Sequence, residues 1–278
     1  MTAVDGPAIV AARGQRRRRD WSDAVLGAYL LVFFAFMFAP LLIMVGAAFN
    51  DYPTPSITEW RGFTLRWFIE LPQDARMMQG LWNSLMVAAG VLAIAIPLGL
   101  SGALVLSRLS SRATGVLYAI LVSPMLTPGI ILGITTMIFW RDLFGVQAGL
   151  FTAMVAQASF ISSYVLLMFM ARLSRQDRTL EEAAADLGAS PFFTFRRITL
   201  PFLMPTIGTA ALIALLQSIE NYNTTFFAIG PDWTLVTEIG SRMRFGLSPI
   251  INAVGVIFIT ITVIAAATWA LLRTRTAR

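Results

Sequence analysis

TLEEAAADLGASPFFTFRRITLP, residues 179–201, is a polar, charged island between uncharged runs long enough to cross a bilayer. Its pattern predicts a helix, a sharp stop and a second helix. Thr179 can cap an N-terminus, and Glu182 three places on completes a capping box by reaching back to the free Thr179 amide. Ala183, Ala184, Ala185 and Leu187 are strong helix formers. Gly188 supplies the left-handed residue that ends a helix. Ser190 followed by Pro191 reads as a fresh N-cap with proline at the first helical position. A short helical hairpin is therefore expected here.

The flanking sequence is of another kind. The chain has 278 residues, 57% hydrophobic and 13% charged, against roughly 25% charged in soluble domains. Six stretches carry no charge at all: 24–50, 77–107, 113–140, 143–171, 198–219 and 245–272. The shortest would span about 33 Å as a helix, enough for a hydrocarbon core of roughly 30 Å. Backbone groups in lipid must be satisfied within the segment, so these runs are helices. The expected fold is an all-α integral membrane protein with six transmembrane helices, near 25–49, 82–106, 116–140, 149–171, 201–220 and 252–272.

The basic residues orient these spans. Fifteen of the 21 arginines fall on one side: Arg13, Arg16–Arg19, Arg108, Arg112, Arg172, Arg175, Arg178, Arg196, Arg197, Arg273, Arg275 and Arg278. Arg61, Arg66, Arg76, Arg141, Arg242 and Arg244 fall on the other. The arginine-rich side is cytoplasmic, which places the 179–201 hairpin and both termini inside. Residues 1–23 read as a disordered cytoplasmic tail and 273–278 as a second tail, flanking one membrane domain over 24–272. The first apolar run is too long for a signal-peptide core and is expected to be kept as an anchor.

The absence of Cys, His and Lys narrows the function. No lysine means no P-loop lysine, so the chain is not itself a nucleotide hydrolase. No cysteine or histidine removes thiol nucleophiles, imidazole acid–base chemistry and the usual zinc and haem ligands. No catalytic or metal-ligating set is expected, and the charge distribution follows membrane topology rather than nucleic-acid binding.

Several local features carry expectations. Trp60, Phe63, Trp67 and Phe68 in loop 50–81 read as interfacial anchors, or as a lid or docking surface. Pro124, Pro128, Gly129 and Gly133 should bend or break the third span, lining a cavity or forming a packing kink. Gly90, Gly99, Ser101 and Gly102 permit close helix contact. Glu220, Asn221 and Tyr222 at the outer end of the fifth span could draw a cationic solute between helices; an interfacial carboxylate ending a helix is the plainer reading. Residues 233–247 should form a short surface helix.

Glu182-Ala183-Ala184, three residues, Gly188, nine residues and then Ile198-Thr199-Leu200-Pro201 resembles the EAA loop of ABC importer permeases. Gly62–Trp67, Phe226–Pro231, Phe245–Pro249 and Asn252-Ala253 extend the resemblance to the PotC-like permeases of spermidine/putrescine importers. It implies a type I importer permease fold in the bacterial inner membrane, with Glu182, Ala183, Ala184, Gly188, Ile198, Leu200 and Pro201 coupling to a partner ATPase. The ATPase subunits would bind the ATP and Mg; this chain would need no cofactor. Further partners implied are membrane lipid, a second homologous permease and a periplasmic or lipid-anchored solute-binding protein. The solute path would run past Glu220, Asn221 and Tyr222. Two acidic positions of the polyamine permeases are lost here, at Asn221 and in Thr127-Pro128-Gly129. Importers of opines, amino-acid-like compounds or phosphonates therefore remain alternatives. A secondary transporter would need intramembrane charges for ion coupling, which the span centres lack. A membrane enzyme or scaffold would need reactive groups or another partner-facing patch.

Overall fold

The computed structural model describes residues 6–276 apart from 55, 57, 110–112, 178, 246 and 247, with side chains described for 21–264 and 268 except Phe245. Among the orienting arginines, Arg112, Arg178 and Arg278 lie outside the described residues. The described chain is helical, without a β-strand; one isolated bridge pairs Asn50 with Phe63. The region read from sequence as one domain divides into two compact units, Met1–Leu71 with Leu247–Arg278, and Pro72–Gly246.

In the first unit, α1 (Gly6–Ala48) packs on α12 (Ile250–Thr276), where a Cβ at Gly255 would lie 2.5 Å from Met44 Sδ. The helix starts at Gly6, so most of the segment expected to be a disordered tail is helical. Pro7 suits a first turn, and the alanines and arginines behind it are good helix formers. After α1 the chain folds over Asn50, whose side chain is buried and fully used. It donates to the Ser56 and Glu59 carbonyls at 2.9 and 2.8 Å and accepts from the Arg61 amide at 2.9 Å. Trp67 on α2 (Arg66–Glu70) is buried and donates to the Asn50 carbonyl at 2.9 Å. Phe49 stacks between Phe63 and Phe68. Trp67 is thus the core of a folded cap and not an interfacial anchor; Trp60 alone of the four expected aromatics stands clear of these contacts and is exposed.

The second unit is built on α3 (Ala75–Arg108) against α6 (Leu150–Leu173). A Cβ at Gly90 would meet Met154 Sδ at 2.6 Å, and one at Gly102 would meet Leu166 Cδ1 at 2.7 Å. At Gly99 it would meet Val165 Cγ1 at 2.6 Å and the Leu166 amide at 2.8 Å, so two backbones touch there. Association between apolar helices in lipid rests on such close packing. Ser101, expected in the same contact, is exposed and bonds back to the Leu98 carbonyl. Contacts advance in step along both helices, which makes α3 and α6 parallel.

The third expected span is two helices, α4 (Ala113–Leu126) and α5 (Gly129–Phe144), meeting at 104°. Pro128 bars the residue before it from helical geometry, and its own ψ of 132° starts a new rod. Because α3 and α6 run parallel, the broken pair must carry the chain from the far end of α3 back to the start of α6. Leu121 near the middle of α4 accepts from Ser163, and Trp140 near the end of α5 meets Phe151 at the start of α6. The pair therefore carries the chain once along α6, back to its start.

α9 (Leu200–Ile219) runs antiparallel to α6: Arg172 donates to the Phe202 carbonyl at one end, and Ser218 bonds Gln157 at the other. α10 (Tyr222–Ala228) and α11 (Leu235–Phe245) close that end. Among the described residues four helices are long and apolar enough to span, five if the broken pair counts as one, against the six expected; the apolar part of α12, Ile250–Ile264, is shorter than these.

Candidate functional site

The 179–201 hairpin forms as two helices with the stop between them. α7 (Thr179–Asp186) ends in a Schellman turn at Gly188, whose φ is +78°. Gly188 donates to the Ala185 carbonyl and Ala189 to that of Ala184, both at 2.9 Å. Ser190 then caps α8 (Pro191–Thr194) by accepting from the Phe193 amide at 3.3 Å. The N-terminal cap differs from the expected box. Asp177 Oδ1 accepts from both the Thr179 amide, 3.0 Å, and its hydroxyl, 2.8 Å. A carboxylate outcompetes a hydroxyl for first-turn amides, because those bonds are charge-assisted, and the two bonds hold the Asp177 carboxyl below its usual range. Glu182 is left free to face solvent.

Of the expected coupling residues, Glu182, Ala183 and Gly188 are exposed and Ala184 is half-buried. Ala184 and Gly188 line a shallow hollow of ≈ 580 Å³ with Leu187, Ala189, Ser190 and Phe193. Leu187 is 89% exposed and Phe192 71%, so the hairpin presents an uncovered apolar tip. Ile198, Leu200 and Pro201 do not join that surface. They lie in and just after a π-turn over Phe195–Thr199, where the Leu200 amide bonds the Phe195 carbonyl five residues back. Pro201 has no amide for an α-helical bond, and its ring crowds the carbonyl four residues behind, so the helix widens before it. From Pro191 to Ile219 the chain is nonetheless one rod.

Glu181, not singled out by the motif, faces inward where its neighbour Glu182 faces out. Its Oε1 accepts from the buried Thr199 hydroxyl at 2.6 Å and from Gln176 Nε2 at 2.8 Å. Arg108 Nη2 stands 3.8 Å from Oε2. Leu104, Ser107 and Leu173 complete a cleft of ≈ 90 Å³ around it.

At the other end of the unit, the break between α4 and α5 and the junction of α9 with α10 enclose a cleft of ≈ 350 Å³. The expected trio Glu220, Asn221 and Tyr222 all line it, together with the rings of Phe160 and Tyr164 and the polar groups of Thr127 and Gln217. Glu220 is the only carboxylate among the lining residues, is exposed, and has no ion-pair partner among the described residues. Asn221 also caps α10, its Oδ1 accepting from the Thr224 amide at 3.1 Å. Tyr222 stacks on Phe226, and its ring lies against Gly240.

Polar groups that the sequence did not single out hold this cleft. Gln157 is fully buried; it donates to Thr225 Oγ1 and accepts from Ser218 Oγ, each at 2.6 Å, tying α6, α9 and α10 together. On the far side of α11, Arg242 grips Asp74 through two bonds of 2.6 and 2.9 Å and Glu238 through one of 2.9 Å. Glu238 also accepts from Arg76 at 3.0 Å. The Arg242 guanidinium holds the Asp74 carboxyl below its usual range. Burial pushes Glu238 up, but Arg76 and Arg242 together bring it below its ordinary value. Single glutamines and scattered acids carry no spacing signal, so only the packed structure reveals them.

Comparison with known proteins places this arrangement. The chain is 32% identical over 249 residues to the putrescine transport system permease protein PotI of Escherichia coli K12, covering 87% of this chain and 86% of that one. It is 27% identical over 239 residues to the spermidine/putrescine transport system permease protein PotC of the same strain, covering 86% and 89%. Among solved structures, a bacterial ABC transporter importing the acidic polysaccharide alginate superposes with a TM-score of 0.68 at 17% identity, over 95% of this chain and 98% of that one. The MetNI methionine ABC transporter superposes with 0.60 at 20% identity, over 73% and 97%. Residues 95–278, from mid-α3 through the hairpin and cleft to the end of the chain, match the model of the binding-protein-dependent transport system inner membrane component, and to that family the chain belongs.

Proposed function

We propose that this chain is the permease subunit of an ABC importer that moves a small cationic solute, a polyamine such as putrescine or spermidine, into the cell. The observation that carries the solute class is the cleft of ≈ 350 Å³, where the carboxylate of Glu220 stands free beside the rings of Phe160, Tyr164 and Tyr222. A carboxylate with aromatic faces suits an alkylammonium group, through charge on one side and the ring quadrupole on the other. The names of the 32% and 27% identical relatives point the same way.

Alternating access supplies the mechanism. ATP and Mg bind to partner ATPase subunits on the arginine-rich, cytoplasmic side, where the exposed tip with Glu182 and Gly188 seats in them. Closure of the ATPase dimer moves α7 and α8, and the rod from Pro191 to Ile219 carries that motion to the cleft. A solute-binding protein delivers cargo from outside, and a second homologous permease provides the facing wall. Both termini lie in the cytoplasm.

Thr127, Gln217, Asn221 and Asn223 line the cleft with neutral hydrogen-bonding groups. That lining favours, as a second reading, a zwitterion such as an opine or another amino-acid-like solute; an aminophosphonate would need a cationic partner for its phosphonate. Solute-stimulated ATP hydrolysis by the reconstituted complex separates these, with putrescine, spermidine, an opine, γ-aminobutyrate and an aminophosphonate as the panel. Stimulation by the two polyamines, lost in Glu220→Gln, is the expected result. Stimulation by a zwitterion alone would discard the polyamine and keep the importer.

A further inference from the structure

We infer that Glu181 is the positioning residue that fixes the coupling helix α7 to the base of α9, so that motion of the exposed hairpin reaches the cleft. The inference rests on the transport reading above and adds a residue to it. Glu181 and Glu182 are adjacent and chemically identical, yet the helix turns them to different jobs. Glu182 is exposed, with no ion-pair partner among the described residues, whereas Glu181 is half-buried, hydrogen-bonded to two other segments and ion-paired at 3.8 Å with a third.

The strength of those bonds is unequal. Arg108 is 59% exposed and 3.8 Å away, a geometry that contributes little in water. The 2.6 Å bond from Thr199 is different, because its donor is buried and its acceptor is charged. Thr199 also has an alternative it does not take. Thr135, Thr209, Thr260, Thr262 and Thr268 each donate their hydroxyl to the carbonyl four residues back along their own helices. A hydroxyl has one proton to donate, and Thr199 gives it to α7. Thr199 is the last residue of the π-turn, where the i→i−4 ladder gives way to a bond five residues back. The Glu181–Thr199 bond therefore joins the coupling helix to the π-turn at the base of α9. Gln176, just after α6, bonds the same oxygen and holds that joint against the α3–α6 base.

The test needs no knowledge of the solute. The chain has no cysteine, so Gln217→Cys places its only thiol in the cleft. In the full complex with the ATPase and partner permease, labelling of that thiol by a polar maleimide is followed with and without a non-hydrolysable ATP analogue. The otherwise unchanged chain should show a nucleotide-dependent change in labelling rate. Glu181→Ala and the isosteric Thr199→Val should each shrink that change about tenfold, the scale of losing one hydrogen bond to a charged group. The ATPase should co-purify in undiminished ratio, and Thr199→Ser, which keeps the hydroxyl, should restore the response. An undiminished response in both variants overturns the role of Glu181. So does a loss seen only as less assembled complex, with the surviving complex responding normally. A Gln217→Cys complex with unaltered Glu181 that binds no ATPase overturns the transport reading itself, and the inference with it.

Discussion

Asn221 carries two roles at one position, and they can be pulled apart. Its Oδ1 caps α10, and the same side chain lines the cleft beside Glu220. Aspartate caps a helix as well as asparagine does, so Asn221→Asp should leave α10 intact and give the cleft a second carboxylate. Half-maximal stimulation by putrescine should then need about fivefold less solute, the scale of roughly 1 kcal/mol for one added charge pair in water. An unchanged dose–response would show that this side chain does not meet the solute. The other acid absent relative to the polyamine permeases cannot be restored so simply. A Cβ at Gly129 would come within 2.7 Å of Thr224 Oγ1, so Gly129→Asp should disrupt α5 against α10 and lower the yield of folded protein. Gly188 offers the complementary case. Nothing lies within 4 Å of a Cβ built there, but φ is +78°. Gly188→Val should thus strain only the backbone, by about 1–2 kcal/mol, impairing transport while membrane insertion persists; normal uptake would refute the coupling role. At this scale the motif located the hairpin, its glycine stop and Ser190 correctly. It could not tell which of two neighbouring glutamates faces in, because that depends on where Thr199 and Gln176 arrive in space.

Helices were legible where one segment settles its own structure, and illegible where two compete. The runs of α3, α6 and α9 announced themselves by length and lack of charge. The third span did not, since Pro124 and Pro128 are compatible with a bend or a break, and only the packing of Gly129 and Gly133 on α10 selects the 104° corner. α11 was expected as a surface helix, but what holds it is an ion cluster that no local pattern encodes. Arg242 reaches back to Asp74, the N-cap of α3, and Glu238 is gripped by Arg242 and Arg76. The cluster makes a pH prediction with a definite sign. The carboxyls of Asp74 and Glu238 sit below their ordinary values in the folded chain. The unfolded chain therefore binds more protons as pH falls through the carboxylate range, and the stabilisation is complete above that range and lost below it. Protection of α11 amides from hydrogen exchange should hold steady near neutrality and fall once pH drops below about 4. Arg242→Ala should weaken protection at neutral pH and flatten this dependence, because the carboxyls then lose the cation that depresses them. A variant with the same acid midpoint would exclude the cluster as the cause.

Across the whole chain, sidedness depends on a single question, whether α4 and α5 cross together or turn back. If they turned back, α6 would run the other way and the hairpin at 179–201 would emerge opposite to the arginine-rich side. Two independent lines argue against this. The bias of arginines toward one side favours a hairpin on the same side as Arg108. The packing requires α3 and α6 to be parallel, since Gly90 meets Met154 while Gly99 and Gly102 meet Val165 and Leu166. Sequence supplied the first line and could not supply the second, which is a relation between surfaces 60 or so residues apart. The absence of native cysteine makes the question direct to ask. Gln147, between α5 and α6, and Ala185, on α7, are both exposed. In intact cells an impermeant thiol reagent should label Gln147→Cys from outside. Ala185→Cys should stay unlabelled until the inner membrane is permeabilised. Labelling of both from one side would mean that the broken pair is re-entrant. The exposed tip around Leu187 would then face away from any cytoplasmic ATPase, and coupling through this hairpin would be impossible.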